Sequence, residues 1–503
     1  MEKKDNDFND YSNLDILFLV PPVFRIMGKK WDSYPLGLGY LVSSLDQKKI
    51  KSAIYHANYL EVDECPPNEN WVLYLSKQWE KFYSTIEDVD NDIWHEIAHV
   101  LEITNPKIVG ISSCIVDLPS TYKVANLIKK YNNEIIVIVG GPSATTYSEK
   151  LINSPAIDFL VIGEGERTIS ELIPVLLNKP LNFEKIRAIK GLMYRDRNNV
   201  ITNEKRDLIS NLDDIPFPNR EKVFIIDRSK NVKKIYLTSD ILLSRGCPFK
   251  CKFCSAFTVW GTRKSRSRTN ENILEEITHL KCKYNQDFFV FWDDLFSVNK
   301  SKVVDLCNKL IQLNLNIKWV CLARLDTVDK ELLLLMKRAG CIEIQFGIES
   351  GSDRILSYVN KGLTIGQIVE KSKTVRECNI PWRIFLIIGF PTETEQEIFE
   401  TIQFVDILKP TCVDLSIFAP YPGTELYSEL YQLGQISDKS DRCDTSYFEK
   451  NYTLNISEER FKEIAIYAFN YIENHNKKMS SSDKRTLMGL FNGIMHKFKG
   501  GVS

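Results

Sequence analysis

Two successive series of short apolar runs, each alternating with helical patterns, constrain the fold of this chain more than any other feature. In the first series the runs lie at 16–20, 52–55, 108–112, 135–139 and 159–162, each bounded by turn residues. Continuous apolar runs mark strands buried on both faces, as in a parallel sheet covered by helices. The charged, tryptophan-containing segment 70–103 reads as helical. An open parallel sheet binds its ligand beyond the carboxyl ends of its strands. Here those ends read Pro21-Pro22, Ser112-Ser113, Gly140-Gly141-Pro142 and Gly163-Glu164-Gly165-Glu166.

The second series predicts six strands, at 241–244, 288–292, 318–323, 341–347, 383–389 and 413–418, with helices at 271–283, 302–312, 329–338, 365–378 and 395–408. This β/α alternation favours a barrel or partial barrel with its site at the C-terminal strand ends. Between the series, 181–234 is polar and irregular and reads as a linker. After 431 the strand signal stops, and amphipathic patterns at 458–475 and 484–498 predict a helical cap or lid over the barrel mouth. The expected units are therefore 1–180, a linker at 181–234, a barrel at 235–430 and a helical region at 431–503.

Composition excludes several classes. The 65 Lys+Arg and 66 Asp+Glu of the 503 residues leave a formal charge of -1. That removes any general pull toward nucleic acid or anionic lipid. No apolar stretch reaches the ~20 residues of a membrane span, and the polar N-terminus lacks a signal peptide's apolar core. A cytoplasmic location is expected. Twelve cysteines are too sparse for a secreted disulfide scaffold. Three of them fall within eight residues, Cys247, Cys251 and Cys254, directly after the first predicted barrel strand. Thiolates on so short a loop can converge on a metal centre, and three ligands leave one iron of a 4Fe-4S cluster open. Coincidence and a zinc site with a distant fourth ligand are the alternatives; the other nine cysteines read as packing.

The CxxxCxxC spacing, with Phe253 before the third cysteine, resembles the signature of the radical S-adenosylmethionine superfamily. The likeness continues in order along the second series. The segment containing Asp293 and Asp294 resembles the one lining the adenosylmethionine amino group. Arg324 resembles the arginine that can hold the methionyl carboxylate, a task suited to a guanidinium fork. Glu349 and Ser350 fall in the motif near the ribose and carboxylate, and Ile388 in the one against the adenine. In the first series, Pro21, Pro22, Leu36, Gly37, Ser112, Ser113, Gly140, Gly141, Pro142, Gly163, Glu164, Gly165 and Glu166 resemble the Rossmann-like cobalamin-binding domain fused to such enzymes. Glycines at strand ends let the backbone approach a large flat ligand.

The resemblance implies an α/β architecture of cobalamin-binding domain, partial (β/α)6 TIM-type barrel and C-terminal helical cap. It implies a 4Fe-4S cluster, S-adenosylmethionine and cobalamin as cofactors. No DxHxxG loop is present, and His56 lacks its flanking Asp and Gly, so the corrinoid is expected base-off without a histidine ligand. The implied reaction is reductive cleavage of adenosylmethionine to a 5'-deoxyadenosyl radical, with methyl transfer from methylcobalamin to an unactivated carbon of a small molecule. The alternatives are a cyclase, oxidase or ring-rearranging enzyme and, in a different class, a corrinoid or iron-sulfur sensor. A flavodoxin or ferredoxin is the expected reductant. The basic run 263–268 reads as a solvated face.

Overall fold

The computed structural model describes residues 11–62, 71–197, 199–436 and 450–482. The first series folds into a nine-stranded sheet. Its strands are β1 (Ile16–Val20), β2 (Ser52–His56), β3 (Ile108–Ser112), β4 (Ile136–Gly140), β5 (Phe159–Val161), β6 (Leu192–Asp196), β7 (Asn199–Thr202), β8 (Val223–Ile226) and β9 (Val232–Lys234). Their spatial order is β7-β6-β5-β4-β3-β1-β2-β8-β9. The chain reverses direction across the sheet between β1 and β3, which creates the crevice where an open α/β sheet takes its ligand. Alternate residues of each central strand enter different cores. Leu17, Leu19, Val109, Ile111, Val137 and Val139 pack on one face, and Ile16, Phe18, Ile108 and Ile138 on the other. That two-sided burial explains the continuous apolar runs. The charged segment is helical, as expected, with helices Trp71–Glu87 and Asp92–Thr104.

Residues 181–234 are not a linker. Strands β6 and β7 add antiparallel to β5, and β8 adds parallel to β2 with β9 beside it. The outermost strands β7 and β9 are polar because water reaches them, every residue of both being exposed or half-buried, whereas β6 and β8 inside them are mostly buried. Apolar runs identify central strands and miss edges of this kind.

The second series forms six parallel strands, β10 (Asp240–Ile241), β13 (Phe288–Phe291), β14 (Lys318–Ala323), β15 (Cys341–Glu349), β16 (Trp382–Ile388) and β17 (Cys412–Ile417), in sequential order. The first and last strands do not pair, so the barrel is partial. The predicted strand at 241–244 divides. Asp240–Ile241 joins the barrel, while β11 (Ser244–Arg245) forms a separate antiparallel ladder with β12 (Arg266–Ser267).

Helix Glu458–Ser482 caps the barrel at its open edge, not at its mouth. Asn476 donates from Nδ2 to the Val413 carbonyl and accepts the Val413 N–H on Oδ1, both at 2.9 Å. A side-chain amide thus fills one position, Val413, on the free edge of β17, an edge that otherwise invites strand addition. At its other end, Phe461 occupies the space a Cβ on Gly389 would need. The helix expected at 484–498 lies outside the described residues. Among the described residues no helix is long and apolar enough to cross a membrane.

Candidate functional site

The cysteine loop leaves β11 at Gly246, whose φ of +91° favours glycine; a Cβ there would stand 2.7 Å from the Lys264 carbonyl. Asp294 accepts the Gly246 N–H at 3.1 Å. Asp293 is fully buried and accepts the Leu243 N–H at 3.2 Å and the Ser244 hydroxyl. Burial pushes its carboxyl up to about 6. The aspartate pair therefore frames the strand leading into the loop, and Asp293 does not present its carboxylate to the barrel mouth.

The loop itself is pinned from several directions. Lys252 donates its N–H to the Val359 carbonyl, and Leu426 donates to the Lys252 carbonyl. Arg263 Nη1 donates to the Phe249 carbonyl at 2.8 Å. Cys247 and Cys251 are partly buried, Cys254 is exposed, and all three are free thiols. Burial pushes the Cys247 thiol up, with Asp294 and Cys251 adding to the shift. Among the described residues, no three His, Cys, Asp or Glu side chains stand together as ligands of a single metal ion. A donor set of three thiols fits a cluster whose cysteines ligate separate irons.

Around the loop, Arg324 lies 3.7 Å from the Phe249 ring centroid, with Nη1 3.9 Å from Cys251 Sγ. Its remaining donors go to Asp326 at 3.0 Å and the Lys361 carbonyl at 2.8 Å. Glu349 sits at a bulge of β15 with φ +71° and pairs with buried Lys361 at 2.7 Å. Nothing at sequence level singles out Lys361. Ser350 is buried against Thr401 at 3.1 Å and also accepts the Ser352 N–H, so it supports the turn after Glu349. Phe253 packs against Phe390 at 5.7 Å. The Ile388 side chain is fully buried in the core between strands and helices and does not reach the barrel interior; alternation along β16 gives that position to Ile387.

In the first sheet, a cavity of about 270 Å³ opens where the strand order reverses. Phe18, Leu38, Leu41, Ile138, Val161 and Ile169 make it apolar, and Gly37, Gly110, Gly140, Gly141, Gly163 and Gly165 keep its walls thin. Gly141 has φ +92°, and a Cβ there would stand 2.7 Å from the Ser113 carbonyl. Ser112, Pro142, Glu164 and Glu166 also line it. Pro21, Pro22, Leu36 and Ser113 do not. Pro22 accepts the Ser120 hydroxyl, Leu36 packs against the adjoining core, and Ser113 is buried against Asp117 at 2.9 Å. His56 is buried, with Nε2 3.1 Å from the Ser33 carbonyl, and burial lowers its pKa to about 4.

The basic run is not a solvated face. Arg266 pairs with Glu164 at 3.0 Å, and Arg268 with buried Glu276 at 2.5 Å. Sequence reading also passed over Arg245 and helix Ala256–Trp260. Val259 and Trp260 of that helix form part of the cavity wall, only a few residues after Cys254.

The comparisons agree with this geometry. Residues 241–405 match the Radical SAM superfamily, and 67–173 match the B12 binding domain. The chain belongs to the radical SAM superfamily and carries a B12-binding domain. An uncharacterized methyltransferase of Pyrococcus horikoshii is 34% identical over 333 residues, which is 66% of this chain and 71% of that protein. An anaerobic magnesium-protoporphyrin IX monomethyl ester cyclase of Cereibacter sphaeroides is 29% identical over 407 residues. That match spans 77% of this chain but 64% of the cyclase. Among solved structures, the radical S-adenosylmethionine methyltransferase TsrM of Kitasatospora setae superposes with a TM-score of 0.61 at 14% identity, covering 83% of this chain and 76% of that one. At that identity the likeness shows the shared fold.

Proposed function

We propose that this radical SAM chain is a cobalamin-dependent methyltransferase acting on an unactivated carbon of a small molecule. The observation that carries this reading is the shared wall. Helix Ala256–Trp260 follows the cysteine loop directly and closes the glycine-lined cavity, so the two candidate sites adjoin. Methyl transfer needs both cofactors to face one substrate.

In this reading Cys247, Cys251 and Cys254 hold the 4Fe-4S cluster. Arg324 and the Glu349–Lys361 pair flank the bound adenosylmethionine, with Arg324 exchanging Asp326 for the methionyl carboxylate. Gly37, Ser112, Gly140, Gly141, Pro142, Gly163 and Gly165 receive cobalamin, whose aromatic nucleotide base suits the apolar cavity. Buried His56, already bonded to a carbonyl, leaves the corrinoid base-off without a histidine ligand. When bound, these groups supply the electron that opens adenosylmethionine to methionine and a 5'-deoxyadenosyl radical, and the methyl group to be transferred. The barrel orients the substrate and excludes water from it. A flavodoxin or ferredoxin is the reductant, and the cytoplasm the location.

The test is anaerobic reconstitution with iron, sulfide and hydroxocobalamin, then dithionite and adenosylmethionine. 5'-Deoxyadenosine is expected in every case, and S-adenosylhomocysteine in addition once a methyl acceptor is present. Deoxyadenosine without adenosylhomocysteine across candidate acceptors supports a cyclase or rearrangement enzyme. An intact cluster yielding no deoxyadenosine refutes radical chemistry.

A further inference from the structure

Arg245 stands two residues before Cys247, yet its side chain belongs to the other sheet's cavity. Its guanidinium forks between two carboxylates, with Nη1 2.8 Å from Glu164 and Nη2 2.5 Å from Glu166. Both glutamates line the apolar cavity, as does Arg245 itself. The Tyr40 and Trp260 ring centroids each lie 5.5 Å from the guanidinium. The second oxygen of Glu164 accepts from Arg266 Nη1 at 3.0 Å and from the Ile209 N–H at 2.8 Å. The two arginines and two glutamates form a neutral quartet, with side-chain exposures of 5% for Arg245 and Glu164, 9% for Glu166 and 13% for Arg266.

The ladder explains why the quartet matters to the cysteine loop. Arg245 and Arg266 are direct partners across β11 and β12. Like charges directly opposite each other destabilise an antiparallel pair. Glu164, entering from the end of β5, bonds to both, and Glu166 supplies the second negative charge. The hairpin that launches the cysteine loop is therefore held together by a carboxylate of the cavity wall. The quartet is also short of acceptors, because both Nε and Nη2 of Arg266 are buried without a partner among the described residues. Buried donors of this kind call for an acceptor, and the network they belong to borders the cavity directly through Arg245, Glu164 and Glu166.

We propose that the Arg245–Glu164–Glu166–Arg266 quartet couples the two cofactor sites, so that occupancy of the glycine-lined cavity and assembly of the cluster on the cysteine loop favour one another. Arg245 acts as a positioning residue in this scheme. The proposal rests on the reading that the cavity takes cobalamin and the cysteines take the cluster. Coupling of this kind is reciprocal, so it can be read as an affinity without any turnover.

The measurement is hydroxocobalamin affinity of the full chain, by titration under anaerobic conditions, in iron-free and cluster-reconstituted forms. The wild-type chain is expected to bind about 5-fold tighter or better when the cluster is present. The double variant Arg245→Met/Glu166→Gln removes one charge of each sign and leaves Glu164 paired with Arg266. It should assemble the cluster and bind cobalamin with the ratio reduced below about 2-fold. Should that variant fail to fold, Arg245→Lys keeps the charge but loses the fork, and its ratio should fall between the two. Equal wild-type affinities in both forms overturn the coupling, as does an undiminished ratio in the variants. A chain that takes up no cobalamin overturns the corrinoid reading itself, and the coupling with it.

Discussion

Glu393 lies just beyond β16, at the turn that follows Ile388, and is fully buried. Its Oε2 accepts the Gly389 N–H at 2.6 Å and the Phe390 N–H at 3.1 Å, while Oε1 has no partner among the described residues. Burial pushes the carboxyl from its ordinary 4.5 up to about 8, with the two backbone N–H groups opposing that shift. In the unfolded chain the group is ionised above about pH 4.5, whereas in the folded chain it stays protonated to about pH 8. The folded state therefore holds the extra proton in this window, and stability falls as pH rises through it. At ~1.4 kcal/mol per unit, the loss between about pH 5.5 and pH 8 is on the order of 3 kcal/mol. Glu393→Gln carries no titrating group, so its stability should lack this slope and exceed wild type near pH 8. Glu393→Ala leaves two buried N–H groups without acceptors, at about 1–3 kcal/mol each, and should be the least stable of the three at every pH. Urea unfolding of the full chain, followed by tryptophan fluorescence, reads the barrel through buried Trp319 and Trp382. Parallel pH profiles for wild type and Glu393→Gln would refute the buried neutral carboxyl. An alanine variant as stable as the glutamine one would refute the hydrogen-bond account.

Three further outcomes are expected. Arg324→Ala should assemble a spectrally normal cluster and lose about 1.5–3 kcal/mol of adenosylmethionine binding, measured by calorimetry, for want of a charge-assisted contact. Gly141→Ala places a Cβ against the Ser113 carbonyl in a backbone region open to glycine, at about 1–3 kcal/mol; corrinoid absorbance retained on the purified chain should fall while the cluster spectrum persists. His56→Gln should leave the visible spectrum of the bound corrinoid unchanged, because the imidazole faces Ser33; a shift in the corrinoid bands would make it a cobalt ligand.

Local features were legible in the sequence. The cysteine spacing acts within one short loop, so the ligand set needs no knowledge of what packs around it. The central strands were legible because burial on both faces demands continuous apolar runs, and Gly141 because a Cβ there would meet the Ser113 carbonyl. The edge strands β7 and β9 escaped notice because exposure makes them polar. Glu164 and Glu166 do line the cavity, but their pairing with Arg245 was not legible, nor was the bonding of Asp293 to the Leu243 backbone or the burial of Ile388 in the core.

What was not legible shares one physical origin. A side chain's role is set by the partner it meets, and the partners here are distant in sequence: Glu164 meets Arg245, and Asp293 meets the backbone of Leu243. The basic run looked like a solvated face because nothing in its own composition announces the buried carboxylates that neutralise it. Which chemistry the chain carries is written in short spacings along its sequence. How the cysteine loop is tied to the glycine-lined cavity was decided by tertiary packing, because only folding brings those charges within bonding distance.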